Sequence, residues 1–126
     1  MRTIETKNAP AAIGPYSQAV VSGGLVYTSG QIPVDPVTGA IEAVGIAEQT
    51  HQALRNLASV LEAAGSGLGK VIRTTCFLRD MNDFSGFNEV YAQYFPGRPA
   101  RSCAGASGLP KGALLEIDAV AEIADD

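Results

Sequence analysis

The chain has 126 residues, of which 46% are hydrophobic and only 17% charged, with a net charge of −4 at neutral pH. This length suits one domain, residues 1–126, with its own core, and the low charged fraction favours a homo-oligomer that covers part of its surface. Because the chain is acidic, has 6% aromatic residues and lacks a run of Lys or Arg, its composition argues against nucleic-acid binding.

The first half of the chain predicts strands followed by a long helix. Three short apolar runs indicate strands, at residues 2–6, 19–22 and 25–29. The second and third runs are joined at Gly23–Gly24, which is typical of a β-hairpin. Residues 33–39 are rich in Pro and Gly and predict a loop. From Ile46 to Ala64 apolar residues recur at intervals of three and four, which predicts an amphipathic helix that ends at Gly65.

The second half predicts a strand, a helix and two further strands. The β-branched run at 71–78 indicates a strand, and Asn82 or Asp83 then caps a second helix. The apolar side of that helix is aromatic: Phe84, Phe87, Tyr91 and Tyr94. The last two strands flank a turn at Pro110–Lys111–Gly112. The order β-β-β-α-β-α-β-β predicts an α+β fold, with two helices packed on one face of a mixed sheet.

The last two strands carry the most suggestive chemistry. Alternation places Arg101, Cys103 and Gly105 on one face of their strand. On the final strand it predicts a buried apolar face, Leu115, Ile117, Ala119, Ala121 and Ile123, and leaves Glu116 and Asp118 on the other side. A guanidinium grips a carboxylate with two parallel hydrogen bonds. A carboxylate such as Glu116 can move protons or place a water.

A simple hairpin would keep these two groups apart. If the strands pair around the turn with Leu109 opposite Ala113, Glu116 lies opposite Ala106. Arg101 is then roughly 17 Å further along the strand, at the usual rise per residue. Either the connection is not a simple hairpin, or the site is shared between subunits.

The sequence gives little support for a metal site, a covalent nucleophile or a membrane-spanning segment. Cys76 and Cys103 are far apart, and with a single histidine they do not form a zinc-ligand pattern, so we expect no metal site. No histidine is placed to activate Cys103 as a nucleophile. Neither a signal peptide nor a membrane-spanning run is indicated. We therefore expect a cytoplasmic protein with reduced thiols.

Short motifs are spread over nearly the whole chain. They are GPYSQA at 14–19, YTSGQIP at 27–33, NDF at 82–84 with FN at 87–88, PARS at 99–102, LP at 109–110, and Glu116 with AVA at 119–121. Each motif is short, but their order and spacing together are highly specific. Together they resemble the RidA (YjgF) family of reactive intermediate deaminases.

The resemblance implies a chorismate-mutase-like fold and a homotrimer with ligand sites between subunits. It implies hydrolysis of enamine and imine intermediates, such as 2-aminoacrylate, 2-iminopropanoate or 2-iminobutanoate, to 2-keto acids and ammonia, without a cofactor. Arg101 matches the carboxylate-binding arginine of the family, and Glu116 matches the acid that handles the water. The matching positions that line the cleft are Tyr16, Ser29, Gly30, Asn88 and Cys103.

The chain departs from the family pattern in two places, and three alternative functions remain open. Asp118 stands where the family commonly has Glu, and the small residues 104–108 leave the substrate preference open. The first alternative is a regulatory trimer that binds a keto acid or amino acid without turnover. The second is an RNA-processing or translation-inhibiting protein, and the third is a chaperone-like or structural trimer.

Overall fold

A six-stranded mixed sheet with two helices on one face is the architecture of residues 1–123, which are the residues that this computed structural model describes. The last three residues of the predicted domain lie outside that range. The strands are β1 Arg2–Ile4, β2 Ala19–Ser22, β3 Leu25–Thr28, β4 Val71–Leu78, β5 Ala100–Gly105 and β6 Leu115–Glu122. The helices are α1 Gly45–Ala63 and α2 Phe84–Tyr94. The α+β class and the predicted order of elements are confirmed.

The strands lie in the order β1-β2-β3-β6-β4-β5, so β1 and β5 form the two edges of the sheet. β4 and β5 are parallel, and the other neighbouring strands are antiparallel. The predicted hairpin is present as β2 and β3. Gly23 and Gly24 at its turn have φ values of 61° and 80°. Two consecutive left-handed residues fit the twist of a two-residue hairpin, which is why glycine suits both positions.

Helix α1 begins and ends one residue before the predicted bounds of 46–64, and the predicted Gly65 follows its capping residue Ala64. Gly65 has φ 83°, which only glycine adopts without a steric cost. The Ser66 N–H donates to the Leu61 carbonyl at 2.9 Å, and the Gly65 N–H to the Glu62 carbonyl at 3.0 Å. These two bonds are the Schellman arrangement, which satisfies carbonyls that the helix end would leave free.

Both helices pack against the same face of the sheet. The fully buried side chains of α1 include Ala53, Leu54, Leu57, Val60 and Leu61. The sheet meets them with Cys76, Leu78, Leu115, Ile117 and Ala121. The predicted apolar face of β6 is therefore confirmed as core for Leu115 to Ala121, while Ile123 is partly buried. Of the predicted aromatic side of α2, Phe87 and Tyr91 are buried.

The start of α2 differs from the prediction in one detail. Asp83 occupies the residue before the helix, but its side chain makes no capping hydrogen bond. Instead Asp80 Oδ1 accepts from the Asn82 N–H at 2.9 Å, at the start of a 3₁₀ turn over Met81–Asp83. The turn leads directly into the helix, so the capping acid lies one short turn earlier than expected.

The last two strands do not form a simple hairpin, which is one of the two alternatives that the sequence left open. β4 lies between β5 and β6: Thr74 is opposite Arg101 on one side and Ala119 on the other. The cause is α2, which carries the chain from β4 to β5 as a crossover and so makes these strands parallel. β6 then takes the other side of β4. The Pro110–Gly112 segment is a 3₁₀ turn that makes this longer connection.

The second face of the sheet carries no helix among the described residues. Tyr27 is 46% exposed there, and Leu25, Phe77 and Val120 are only partly buried. Alternation places Glu116 and Asp118 on the same open face, next to these apolar side chains. Within residues 1–123, neither helix is long and apolar enough to cross a membrane.

Candidate active site

Arg101 lies on edge strand β5, on the face of the sheet that the helices cover. Its Nη1 donates a hydrogen bond of 2.7 Å to Asn88 Oδ1 on α2. Its guanidinium carbon is 4.7 Å from the centre of the Tyr91 ring, and 5.6 Å and 6.0 Å from those of Phe84 and Phe87. Cation–π contact holds a guanidinium within about 6 Å of an aromatic ring. Asn88 and three aromatic rings therefore hold the arginine.

A cavity of about 320 Å³ opens beside this arginine. Asn88 and Arg101 line it together with apolar side chains that include Tyr91, Phe95 and Pro99. A guanidinium has five N–H donors, and Asn88 uses one of them. The remaining donors can grip a carboxylate in a planar fork. The cavity is therefore suited to a small organic acid.

The two cysteines lie on the same face as Arg101, directly opposite each other on β4 and β5. Burial raises the pKa of Cys76 to about 12. Burial also raises the pKa of Cys103, against a lowering by the nearby Arg101 charge. Both thiols are therefore protonated at neutral pH, and a protonated thiol is a poor nucleophile. Cys103 sits two residues from Arg101 as a small neutral side chain.

Glu116 lies on the opposite, open face of the sheet, against Gly30. A methyl group built on Gly30 would lie only 2.6 Å from Glu116 Cδ. Gln31 and Ile117 exchange two backbone hydrogen bonds, of 2.7 Å and 3.0 Å, which hold the Gly30 segment against β6. Burial raises the pKa of Glu116, and the neighbouring Asp118 raises it further. Glu116 therefore holds its proton to higher pH than an ordinary glutamate.

Tyr16 and Ser29 lie at the same end of the molecule as Gly30. The Ser29 hydroxyl donates to the Ser17 carbonyl, and its N–H donates to the Gln18 carbonyl at 2.9 Å. Tyr16 is 52% exposed. Tyr16 and Gly30 both line a second cavity of about 310 Å³. These residues and Glu116 make one group, while Arg101, Asn88 and Cys103 make another.

The two groups do not meet within one chain. Thr74 is opposite Arg101, and Phe77 is opposite Glu116, so the pair is separated by two strand spacings and three residues. That corresponds to roughly 14 Å between Cα atoms at ordinary strand spacing and rise. The side chains also point to opposite faces of the sheet. Although the connection is not a simple hairpin, it does not bring Arg101 to Glu116.

Comparison with known proteins gives a consistent family. The sequence model described as Endoribonuclease L-PSP matches residues 6–123. The 2-iminobutanoate/2-iminopropanoate deaminase of Salmonella typhimurium is 48% identical over 124 residues, covering 95% of this chain and 96% of its own. The human protein of the same name is 49% identical over 121 residues, covering 95% of this chain and 88% of its own.

A solved structure is similar to this chain in both fold and sequence. The crystal structure of E. coli TdcF with bound serine superposes with a TM-score of 0.93 at 44% identity, covering 98% of this chain and 100% of that one. The chain belongs to the Endoribonuclease L-PSP family, which is the YjgF/RidA family. The family that the sequence motifs indicated is thereby confirmed.

The surroundings of Arg101 include residues that the sequence reasoning missed. Tyr91 was predicted only as part of an apolar helix face, and Thr74 only as part of a strand. A signal for their role exists in the order of elements. Since α2 connects β4 to β5, its inward side chains must cover the start of β5, where Arg101 lies.

Within residues 1–123, no group of three or more His, Cys, Asp and Glu side chains is placed to hold a metal ion.

Proposed function

We propose that this protein hydrolyses 2-iminobutanoate, 2-iminopropanoate and their enamine tautomers, such as 2-aminoacrylate, to 2-keto acids and ammonia. The observation that carries the proposal is the Arg101 guanidinium, held by Asn88 and an aromatic ring at a cavity sized for a small acid. Two relatives that are nearly half identical over almost the full chain bear the name of this activity. The serine bound to TdcF is a ligand of similar size.

The proposed site lies between subunits of a homotrimer. Two observations support this assembly: the open sheet face exposes apolar side chains such as Tyr27, and the residues matched to the site fall into two groups on opposite faces. Arg101 lies on an edge strand, so a second chain can approach it around that edge. We assign Arg101, Asn88 and Cys103 to one subunit of each site, and Glu116 with Tyr16, Ser29 and Gly30 to its neighbour.

The mechanism needs only a bound carboxylate, a water and a proton carrier. Arg101 grips the carboxylate in substrate and product alike, which orients the imine carbon without itself lowering the barrier. Glu116 accepts a proton from the attacking water as its oxygen bonds to that carbon. It returns this proton to nitrogen, which gives the neutral carbinolamine. Glu116 then takes the proton of the new hydroxyl and passes it to the amino group as the C–N bond breaks, so that ammonia leaves and the hydroxyl oxygen becomes the carbonyl of the keto acid. Burial and the neighbouring Asp118 raise the pKa of Glu116, so it is a stronger base and keeps a transferred proton more readily than an ordinary glutamate, which suits this exchange.

The remaining assigned residues bind and orient. Tyr16 and the Gly30 backbone face the imine group, and Ser29 supports that loop through its bonds to residues 17 and 18. Cys103 contributes a small neutral surface beside Arg101 and forms no covalent intermediate. No cofactor takes part in these steps. A cytoplasmic location is also part of the proposal, supported by two free thiols that lie directly opposite each other.

The activity test is a coupled assay. A pyridoxal-phosphate threonine dehydratase generates 2-iminobutanoate, and keto-acid formation is followed with and without this protein. We expect faster release with the wild type, none beyond the spontaneous rate with Arg101→Ala, and full activity with Arg55→Ala. Arg55 is a matched control, since it is an exposed arginine on α1 that contacts Gln52. Full activity of Arg101→Ala would contradict the assigned role. No acceleration by the wild type, with saturable keto-acid binding, would favour the regulatory alternative.

The shared site is tested by mixing two inactive variants. Arg101→Ala and Glu116→Gln are produced separately and then together, so that mixed trimers form. A site between subunits then receives both intact residues in about one quarter of cases at equal amounts, which restores about that share of activity. Activity that stays absent in mixed trimers would contradict a site built from Arg101 of one chain and Glu116 of another.

A further inference from the structure

Tyr91 connects the two structural layers that meet at Arg101. Its ring lies 4.7 Å from the guanidinium carbon. Its hydroxyl makes a buried hydrogen bond of 2.7 Å to Thr74 Oγ1 on β4. Thr74 is in turn the residue directly opposite Arg101 on the neighbouring strand. The three residues therefore form a closed triangle that joins α2, β4 and β5.

The Tyr91 ring has little freedom within this triangle. It packs between Phe87 and Phe95, with ring centroids 5.5 Å and 4.6 Å away. The side chain is 8% exposed. Because the ring is held on both sides and its hydroxyl is bonded to Thr74, the surface under the guanidinium is fixed before any ligand binds.

Packing alone does not account for the hydrogen bond between the Tyr91 and Thr74 hydroxyls. Burial raises the pKa of the Tyr91 hydroxyl, and the bond to Thr74 partly offsets this. Replacing both partners of a buried hydrogen bond by apolar groups of similar shape is often neutral for stability. A Phe–Val pair would fill nearly the same space. The hydroxyl pair therefore needs a reason other than filling the core, and orientation of the ring supplies one.

We propose that Tyr91, held by Thr74, is a positioning residue that fixes the Arg101 guanidinium for carboxylate binding. This rests on the proposed function, because it concerns the group that receives the substrate's carboxylate. The guanidinium carbon lies over the Tyr91 ring, Nη1 donates to Asn88, and Arg101 lines the cavity, so the ring and the amide together restrict how the remaining N–H groups can turn there. The carboxylate is the same in substrate and product, so loosening the arginine raises KM and leaves kcat nearly unchanged.

The experiment compares Tyr91→Phe, Thr74→Val and the double variant with the wild type. The coupled assay gives kcat and KM, calorimetry with 2-oxobutanoate gives Kd, and thermal unfolding gives stability. We expect KM and Kd to rise about three- to tenfold in each variant, the size expected for one lost positioning contact. The double variant should recover stability relative to the single ones, since no hydroxyl is left unpartnered, while its Kd remains raised. Thr74→Ser keeps the hydroxyl and should keep the wild-type Kd.

An arginine-free background isolates the positioning effect. Because Arg101→Ala should have no measurable turnover, calorimetry alone is used there, and adding Tyr91→Phe should not weaken the residual binding of 2-oxobutanoate further, because the group that Tyr91 positions is gone. Wild-type Kd in the single and double variants would overturn the inference while leaving the deaminase proposal intact. A Kd that recovers together with stability in the double variant would also overturn it, since that is the behaviour of a purely structural pair. A wild-type protein that neither binds 2-oxobutanoate nor accelerates its formation would reject the proposed function itself, and the inference with it.

Discussion

Gly30→Ala is the perturbation whose consequence follows most directly from the structure. The added methyl would lie 2.6 Å from Glu116 Cδ and 2.8 Å from Cγ and Oε2, closer than real Cβ contacts come. The backbone cannot easily retreat, because Gln31 and Ile117 are bonded to each other at 2.7 Å and 3.0 Å just beside it. The Glu116 side chain must therefore move, by roughly 1 Å to reach an ordinary contact distance.

The variant should separate activity from stability. Displacing a reacting group by about 1 Å costs on the order of 100-fold in rate. The Glu116 side chain is flexible and only partly buried, so it can turn away at a change of about 1 kcal/mol or less in the free energy of unfolding. Removing a glycine also reduces the freedom of the unfolded chain, which stabilises by about 0.4–1 kcal/mol where the backbone permits.

The coupled dehydratase assay and thermal unfolding measure the two effects on the same preparation. Gly69→Ala is the matched control, because a methyl there meets nothing within 4 Å. It should keep wild-type activity. In a Glu116→Ala background, Gly30→Ala should cause no further loss of activity. Wild-type activity in folded Gly30→Ala would refute the reasoning, since the rate would then not depend on where the Glu116 carboxylate lies.

Three further predictions concern charge and packing. Glu116→Gln should lower the rate by about 10²–10⁴-fold, as loss of an acid–base group does. Burial and Asp118 raise the pKa of Glu116 in the folded protein above its usual 4.5, which it keeps in the unfolded chain. The folded state therefore binds this proton more tightly, and the free energy of unfolding of the wild type falls as pH rises through the pKa of the folded state. Denaturant unfolding of Glu116→Gln should therefore show higher stability at neutral pH and a flatter pH dependence, and an unchanged pH dependence would contradict this. Asp118→Asn removes the charge that raises the pKa of Glu116 and should shift the acidic limb of the kcat/KM profile to lower pH; a shift to higher pH would disprove the coupling. Leu57→Ala, at a fully buried position on α1, should destabilise by about 2–5 kcal/mol in thermal or denaturant unfolding, while the folded fraction keeps its activity.

The elements predicted correctly from the sequence are those with a local signal. Two glycines in sequence define the β2–β3 turn, and Gly65 defines the end of α1, because each needs a left-handed backbone. Alternation along β6 predicted its buried face from residues two apart. These features depend on a few neighbouring residues, so they can be predicted without knowledge of the fold.

The arrangement of the last strands could not be read in that way. Alternation says which face of a strand is buried, but not which strand is its neighbour. The Pro110–Gly112 turn resembled a hairpin turn, yet α2 had already fixed β5 as parallel to β4 and left β6 the other side. The contacts of Arg101 with Asn88 and Tyr91 follow from the same crossover. They depend on where the helix comes to lie, and residue types alone do not give that.

The proposed trimer explains three observations together: the low charged fraction of the chain, the open face of its sheet, and the separation of Arg101 from Glu116. One chain leaves Tyr27 and Phe77 on a face that no described helix covers. The same face carries Glu116, whereas Arg101 lies at the edge strand on the other side. Burying the open face against other copies would remove apolar surface from water and carry Glu116 toward a neighbour's β5 edge in the same step. Folding, assembly and formation of the site would then be coupled, since the contacts that hold the copies together also complete the catalytic groups.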